Sequence, residues 1–152
     1  MFFDLGTTEN SKWTVGSGLT KTVGSEYTTL SSTYSTSFTG RCLSNTTFTG
    51  DFEVSFQVKL IYENSWAGYI GFYDTNQTIW RLGINDWRYI KMGRLNGTYY
   101  AKLSNDGSTW SDMTIGNNNA STTGAVKCML YIYNAQNTEK TMTFRNLKVY
   151  SI

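Results

Sequence analysis

The sequence predicts an all-β protein built as an antiparallel two-sheet β-sandwich of the jelly-roll type. Ser, Thr, Asn and Gly make up 65 of the 152 residues and 24 more are aromatic, a composition that suits pleated strands joined by turns. Apolar and polar residues alternate along several segments, and no segment carries a helical apolar stripe. Regularly spaced strands with tight turns favour a sandwich, because that architecture buries one face of every strand.

The elements follow one another along what we expect to be a single domain, residues 1–152. Residues 1–40 are rich in Ser, Thr and Gly but keep recurring aromatic residues, so we interpret them as short edge strands. The segment 51–60 predicts the clearest strand, since it alternates strictly over ten residues. Runs bounded by Asn, Asp and Gly predict further strands at 68–74, 78–86, 87–94, 98–106, 125–134 and 141–152.

Strand parity assigns a core face to these runs, because successive side chains of a strand point to opposite sides. The apolar parity collects Phe52, Val54, Phe56, Val58, Ile70, Phe72, Trp80, Leu82, Ile84, Ile90, Met92, Ala101, Leu103, Val126, Cys128, Leu130, Ile132, Phe144, Leu147 and Val149. The two cysteines, Cys42 and Cys128, are expected to be buried without a bond, and a disulfide between an early and a late strand is the alternative.

The opposite parity carries tyrosine with arginine and lysine, and we interpret it as one leftover sheet face. Its members are Tyr69, Tyr73, Arg81, Tyr89, Lys91, Tyr100, Lys102, Lys127, Tyr131 and Tyr133. Three polar residues of the first clear strand, Asp51, Glu53 and Gln57, are assigned to the other sheet. Tyrosine stacks its ring on a sugar and hydrogen-bonds through its hydroxyl, while lysine and arginine donate to hydroxyls or carboxylates.

Three uses of this face remain open. It is a solvent face stabilised by cross-strand Tyr–Lys and Tyr–Arg pairs, a glycan site, or an interface with another protein. Trp66, Trp87 and Trp110 lie at strand ends or in loops, where we expect them to cover the core, with an exposed stacking platform as the alternative. The candidate ligand-binding residues are Tyr69, Tyr73, Arg81, Asn85, Trp87, Tyr89, Lys91, Tyr100 and Tyr131.

The sequence carries no recognisable catalytic motif, and we expect no enzymatic activity. With no histidine, a Ser–His–Asp or Cys–His arrangement cannot be built. Glycoside hydrolysis needs two carboxyl groups across a cleft, yet most acidic residues sit in turns. We expect no cofactor. A structural calcium ion at 74–76 or 105–107 is the alternative to simple Asx-turns there.

The charge pattern argues against two classes of partner. The net charge is +2, from 13 basic and 11 acidic residues without a run of like charge, so neither nucleic acid nor an anionic membrane is indicated. No apolar run approaches the roughly 18 residues of a membrane span. The N-terminal residues are not typical of a signal peptide.

The order of several segments resembles the concanavalin A-like lectin/glucanase superfamily, in particular its laminin-G-like and carbohydrate-binding members. The resemblance covers roughly 39–152: FTGDFEVSFQVKL, GYIGFYD, LNGTYYAKLSNDGSTW and the closing TMTFRNLKVYSI. It implies a non-catalytic jelly roll of the kind appended to adhesins, glycoside hydrolases or phage tail proteins. The paired catalytic glutamates of the glucanases have no matching motif, and individual binding residues do not carry over.

From these observations we expect a carbohydrate-binding, lectin-like domain that recognises glycan or polysaccharide through the aromatic face and nearby loops. Its affinity would be in the millimolar to micromolar range of shallow sites. The alternative is a structural or adhesion domain of a phage tail or cell-surface protein that binds protein instead. Either function places the domain outside a cell, at a cell surface or in a virion, as one part of a larger parent chain.

Overall fold

The computed structural model describes residues 2–4, 12–32, 38–60, 66–83, 86–134 and 140–152, and these form fourteen β-strands. The strands are β1 (Phe2–Asp4), β2 (Trp13–Val15), β3 (Leu19–Val23), β4 (Thr28–Ser32), β5 (Phe38–Phe48), β6 (Phe52–Leu60), β7 (Trp66–Tyr73), β8 (Gln77–Leu82), β9 (Arg88–Leu95), β10 (Thr98–Ser104), β11 (Ser111–Asp112), β12 (Ile115–Asn118), β13 (Val126–Asn134) and β14 (Lys140–Ser151).

The strands pair into two antiparallel sheets, which confirms the predicted jelly-roll sandwich. The eight-stranded sheet runs in the order β11-β10-β9-β6-β14-β4-β3, with β1 also paired to β14. The six-stranded sheet runs in the order β12-β8-β7-β13-β5-β2. The chain therefore passes repeatedly between sheets. Within the described ranges, no helix is long and apolar enough to cross a membrane.

The apolar core lies between the sheets and contains nearly all the residues that parity assigned to it. The strand β6 alternates strictly between buried and half-buried positions, as its sequence predicts. Leu103 is only half-buried but packs against the core, and Ile84 lies outside the described residues. Trp13, Leu19 and Leu30, from the N-terminal segment, join the same core.

A bulge in β14 explains why the apolar residues of this strand change parity. Arg145 pairs with Gln57 and Lys148 with Ser55, so three steps along β14 match two along β6. Asn146 lies within this bulge and adopts a φ of 55°, in the left-handed region that Asn tolerates better than most residues. The extra residue returns Leu147 to the core and leaves Arg145 and Lys148 on the outer face.

Both cysteines are buried free thiols, which confirms the prediction of burial without a bond. Burial raises the pKa of the Cys42 thiol to about 12, against a smaller opposing effect of Lys21. Burial also raises the pKa of Cys128, with a further contribution from Cys42. Both groups are therefore neutral and unreactive in the folded protein.

A buried arginine ties the β12–β13 connection to the sandwich. The Arg94 side chain is 1% exposed, and its Nη1 donates to the carbonyl oxygens of Ser121 and Gly124, both at 2.9 Å. Its Nε donates to the Gly50 carbonyl at 3.0 Å. Because these acceptors lie on different connections, one guanidinium fixes two loops at once. Charge-assisted hydrogen bonds of this kind offset the cost of burying the arginine.

Candidate functional site

The outward-facing tyrosines do not form one face, because the strands that carry them belong to different sheets. Tyr69, Tyr73, Arg81, Lys127, Tyr131 and Tyr133 lie on the outer face of the six-stranded sheet. Tyr89, Lys91, Tyr100 and Lys102 lie on the outer face of the eight-stranded sheet. The prediction of a single face was wrong, since parity fixes inside from outside but not which sheet a strand joins.

The polar residues Glu53 and Gln57 do lie on the other sheet from Tyr69. However, β6 pairs directly with β9, so Tyr89 and Lys91 lie beside them. Gln57 is directly opposite Tyr89 in this pairing. The eight-stranded outer face therefore combines aromatic, basic and neutral polar groups in adjacent strands.

The side chain of Arg41 lies across the outer face of the six-stranded sheet. The Arg41 guanidinium lies over the rings of Tyr73 and Tyr131, at 5.2 and 5.4 Å from their centroids. Its Nη2 donates to the Gln77 side-chain oxygen at 3.2 Å. The rings of Tyr131 and Tyr69 also pack against each other, with centroids 5.2 Å apart. These tyrosines are thus engaged with their own sheet.

The path of Arg41 also explains a buried methionine on this outer face. Arg41 pairs with Tyr131, whereas Tyr73 pairs with Lys127, four residues away along β13. The arginine side chain therefore crosses the row that contains Met129, which is fully buried despite its outward parity. Met129 pairs with Gly71, where a Cβ would collide with the Thr78 carbonyl oxygen, so the backbone of β8 lies close to this row.

The outer face of the eight-stranded sheet instead contains a groove of about 320 Å³. It is bordered by β6, β9, β14 and the β10–β11 loop. The lining residues are Ser55, Phe56, Gln57, Tyr89, Ile90, Lys91, Trp110, Asn146, Lys148 and Tyr150. Of the residues predicted to bind ligand, Tyr89 and Lys91 line this groove.

Tyr89, like Tyr150, is an exposed aromatic side chain that lines the groove. It is 37% exposed, and its ring lies against Gly107, whose Cα would place a Cβ 3.3 Å from the ring edge. Gly107 has a φ of 78°, so both its conformation and this contact favour glycine. The ring is thereby supported from one side.

Trp110 forms one wall of the groove rather than covering the core. The Lys91 ammonium lies 4.6 Å from the centroid of its ring, in cation–π geometry. Trp110 is half-buried and absent from the core cluster, as is Trp87, so the expectation that they cover the core was wrong for both. The side chain of Trp66 lies outside the described residues.

Trp87 lies beside the groove and is held by a second cation–π contact. The Arg145 guanidinium is 3.9 Å from the centroid of its ring, and Arg145 Nε donates to the Gln57 oxygen at 2.9 Å. The ring of the exposed Tyr27 packs against the Trp87 ring, with their centroids 6.2 Å apart. The contact with Arg145 links the tryptophan to a residue of the groove.

Tyr100 is committed to a contact within its own sheet. Its ring lies over Gly93 on the neighbouring strand, and its hydroxyl donates to Glu53 Oε2 at 2.8 Å on the strand beyond. Burial, together with this hydrogen bond to a carboxylate, raises the pKa of the Tyr100 hydroxyl. Tyr100 therefore stabilises the face without lining the groove. Asn85, the remaining predicted residue, lies outside the described residues.

The two turns proposed for calcium use their carboxylates to bind backbone. Asp106 Oδ1 accepts the N–H groups of Ser108 and Thr109, both at 2.8 Å, which hold the pKa of Asp106 well below its ordinary value. Asp74 accepts the N–H groups of Asn76 and Ser121, which lower its pKa despite an opposing effect of burial. N–H donors repel a cation, so these carboxylates fit Asx-turns and not a calcium site.

Metal-ligating side chains do not gather elsewhere in the described part of the chain. No three His, Cys, Asp or Glu side chains there lie close enough together to hold an ion.

The sequence offered few signals for the groove itself. Ser55, Lys148 and Asn146 come together only through strand order and the bulge in β14.

Comparison with known proteins identifies the fold. No protein-family model and no curated protein matches the sequence. The solved structure of peanut lectin with a 9mer peptide matches with a TM-score of 0.64 at 10% identity, covering 100% of this chain and 98% of the lectin. The exoplasmic/lumenal domain of VIP36, in a Ca²⁺/Man3GlcNAc-bound form, matches with a TM-score of 0.63 at 9% identity, over 98% of this chain and 88% of that domain.

A sialidase also matches, with a TM-score of 0.68 at 9% identity, over 99% of this chain but only 18% of the sialidase. At these identities the similarity establishes the fold. The chain adopts a jelly-roll fold similar to that of these structures, which is the fold that the resemblance implied.

Proposed function

We propose that the protein is a non-catalytic, lectin-like domain that binds glycan in the groove on the outer face of the eight-stranded sheet. The observation that carries this proposal is the exposed Tyr89 ring on the groove floor, next to the Trp110 ring on its wall. Aromatic rings stack on the apolar faces of sugars, and paired rings at an angle can hold one sugar between them.

Polar groups in the groove suit the hydroxyls of a sugar. Ser55, Gln57 and Asn146 offer neutral donors and acceptors, and Lys91 offers a charged donor. Two of these groups are already held in place, since Gln57 accepts from Arg145 and the Lys91 ammonium lies over Trp110. Groups fixed before binding lose less conformational entropy when the ligand arrives.

This proposal divides the residues predicted from the sequence into two sets. Tyr89 and Lys91 are retained as binding residues, with Trp87 beside the groove as an extension for a longer ligand. Tyr69, Tyr73, Arg81 and Tyr131 form a separate candidate surface on the other sheet. Trp110, Gln57 and Ser55 are added because the fold brings them into the groove.

A non-catalytic role is supported by the chemistry of the groove. None of the described residues that line it is acidic, whereas glycoside hydrolysis requires two carboxyl groups at the scissile bond. Glu53, a carboxylate on this face, accepts a hydrogen bond from the hydroxyl of Tyr100. Binding without turnover is therefore the function that these residues favour.

The fold supports the same proposal in general terms. The structural neighbours include lectin and carbohydrate-recognition domains, and VIP36 is described with mannose-containing ligands and as exoplasmic or lumenal. By analogy we place this domain outside the cytosol, at a cell surface or in an extracellular assembly, where it would target a parent chain to polysaccharide.

The proposal is tested by glycan-array screening followed by isothermal titration with the best ligand. Tyr89→Ala should lower the affinity by at least about tenfold, as loss of a central aromatic contact does. Tyr133→Ala is a matched control, since Tyr133 is also 37% exposed but lies on the six-stranded sheet. Equal losses in both variants, or a loss confined to Tyr133→Ala, would contradict the assignment.

Binding of a protein on the six-stranded outer face is the second candidate. It is favoured by the packed Tyr69 and Tyr131 rings and the exposed Tyr133 on the same strand as Tyr131, a flat aromatic surface of the kind common at interfaces. A partner captured by the wild type and lost in Tyr133→Ala, with no glycan bound at all, would favour this function instead.

A further inference from the structure

We infer that the groove selects anionic saccharides, through two lysines that flank a serine on its floor. The inference rests on the proposed glycan-binding function and names its ligand class. Ser55 on β6 pairs with Lys91 on one side and with Lys148 on the other. Since neighbouring strands lie about 4.8 Å apart, the two lysine Cα atoms are separated by about 10 Å across the serine.

The bulge in β14 is what places the second lysine there. An unbroken strand would give Leu147 and Lys148 the opposite orientations, and the apolar side chain would face the groove. With Asn146 as the extra residue, Lys148 lies opposite Ser55 and lines the groove. The basic pair is therefore a product of the fold and not of a basic run in the sequence.

The charges around the pair leave the groove itself basic. The row continues outward from Lys91 to Lys102, whose ammonium is 3.6 Å from Asp112. The described residues that line the groove include two lysines and no carboxylate. The lining itself therefore carries a net positive charge.

Such a site matches a carboxylate or a sulfate ester on a sugar ring. Two ammonium groups and a hydroxyl can donate to the several acceptor positions of one anionic group. Tyr89 and Trp110 would contact the ring that carries it. Because the Lys91 ammonium is held at 4.6 Å from the Trp110 ring centroid, the charge is positioned next to a stacking surface before ligand binds.

The test compares three soluble polymers in titrations of the full chain: polygalacturonate, the same polymer with its carboxyl groups reduced to neutral sugars, and a sulfated galactan. Polygalacturonate or the sulfated polymer should bind at least about tenfold tighter than the reduced polymer, and this preference should shrink as salt is raised. Tighter binding of the carboxylated polymer identifies a ligand of the uronic-acid type. Tighter binding of the sulfated polymer identifies a sulfate ester.

The double variant Lys91→Gln/Lys148→Gln should lose this preference, so that the anionic polymers bind no tighter than the neutral one. Lys127→Gln, which removes one positive charge from the other sheet, should keep this preference. If all three polymers bind equally and only Tyr89→Ala weakens binding, the anionic inference is wrong and the glycan-binding function stands. If Tyr89→Ala has no effect on any polymer, or none binds, both proposals are overturned.

Discussion

The outer faces of the two sheets carry the same kinds of residue and arrange them differently. On the six-stranded sheet, Arg41 lies across the face and binds the Tyr73 and Tyr131 rings. On the eight-stranded sheet, the basic side chains Lys91 and Arg145 contact tryptophans at the margins of the groove. The first face is covered by contacts between its own side chains, whereas the second has an open groove in which Tyr89 is exposed.

The difference follows from where each cation is anchored. Arg41 pairs with Tyr131 in the middle of its sheet, so its long side chain has tyrosines on either side. Trp110 belongs to the β10–β11 loop and Trp87 precedes β9, so Lys91 and Arg145 of the eight-stranded sheet contact rings that lie outside its strands. Composition alone therefore does not separate a self-packed aromatic face from a binding face.

The largest expected effect comes from filling the space beneath Tyr100 on the groove face. In Gly93→Val, the new side chain would collide with the Phe52 carbonyl and with the Tyr100 ring, 3.0 Å from the Gly93 Cβ position. We expect a loss of about 2–3 kcal/mol in the free energy of unfolding, measured by urea denaturation.

Gly83→Val is the matched control, since no heavy atom of the described residues lies within 4 Å of a Cβ at Gly83. We expect it to change stability by less than about 0.5 kcal/mol. Equal stability of the two variants would contradict the packing of Tyr100 over Gly93.

Removal of the arginine that fills the six-stranded face should have a smaller effect. Arg41→Ala loses two cation–π contacts and the hydrogen bond to Gln77, and it uncovers Met129. We expect a destabilisation of about 1–2 kcal/mol with unchanged glycan affinity. The exposed Arg81 on the same face provides the comparison, and Arg81→Ala should destabilise the protein less than Arg41→Ala does. Weakened glycan binding in Arg41→Ala would contradict the assignment of the ligand to the eight-stranded sheet.

A smaller effect is expected from the pH dependence of the Tyr100 hydrogen bond. The folded state raises the pKa of Tyr100 above its unfolded value of about 10, so its stabilising contribution is complete below that pH and is lost as pH rises toward the folded pKa. The urea midpoint should therefore fall above about pH 10 in the wild type, and fall less in Tyr100→Phe. Parallel curves for both proteins would show that Tyr100 does not titrate in this way.

The smallest expected effect is that of a metal chelator. The carboxylates of Asp74 and Asp106 accept backbone N–H groups, so we expect no change in glycan affinity or melting temperature when EDTA replaces added calcium. Melting and titration in both buffers measure this directly. A loss in EDTA that calcium restores would reveal a site that these turns do not provide.

The sequence predicted the fold and the core well because both depend on local alternation. Ile70 and Phe72 could be placed inside from WAGYIGFYD alone. The candidate site was predicted only in part, since Tyr89 and Lys91 needed no knowledge of strand order, whereas Ser55 and Lys148 meet only in the folded sheet.

One available signal pointed to the missing part of the site. Phe144 and Leu147 are three residues apart and both apolar, which breaks period two and indicates a bulge between them. A bulge there reverses the orientation of Lys148 and brings it into the outward set. The division of tyrosines between two sheets had no such local signal, because sheet membership is set by pairing between distant segments.

The central claim is that glycan binds the outer face of the eight-stranded sheet, and amide and indole NMR shifts during titration with an acidic oligosaccharide such as trigalacturonate test it most directly. We predict that the signals of Ser55, Tyr89, Lys91 and the Trp110 indole N–H move together as ligand is added. Shifts confined to Tyr69, Tyr131 and Tyr133 on the six-stranded sheet, or no shifts at saturating ligand, would contradict the claim.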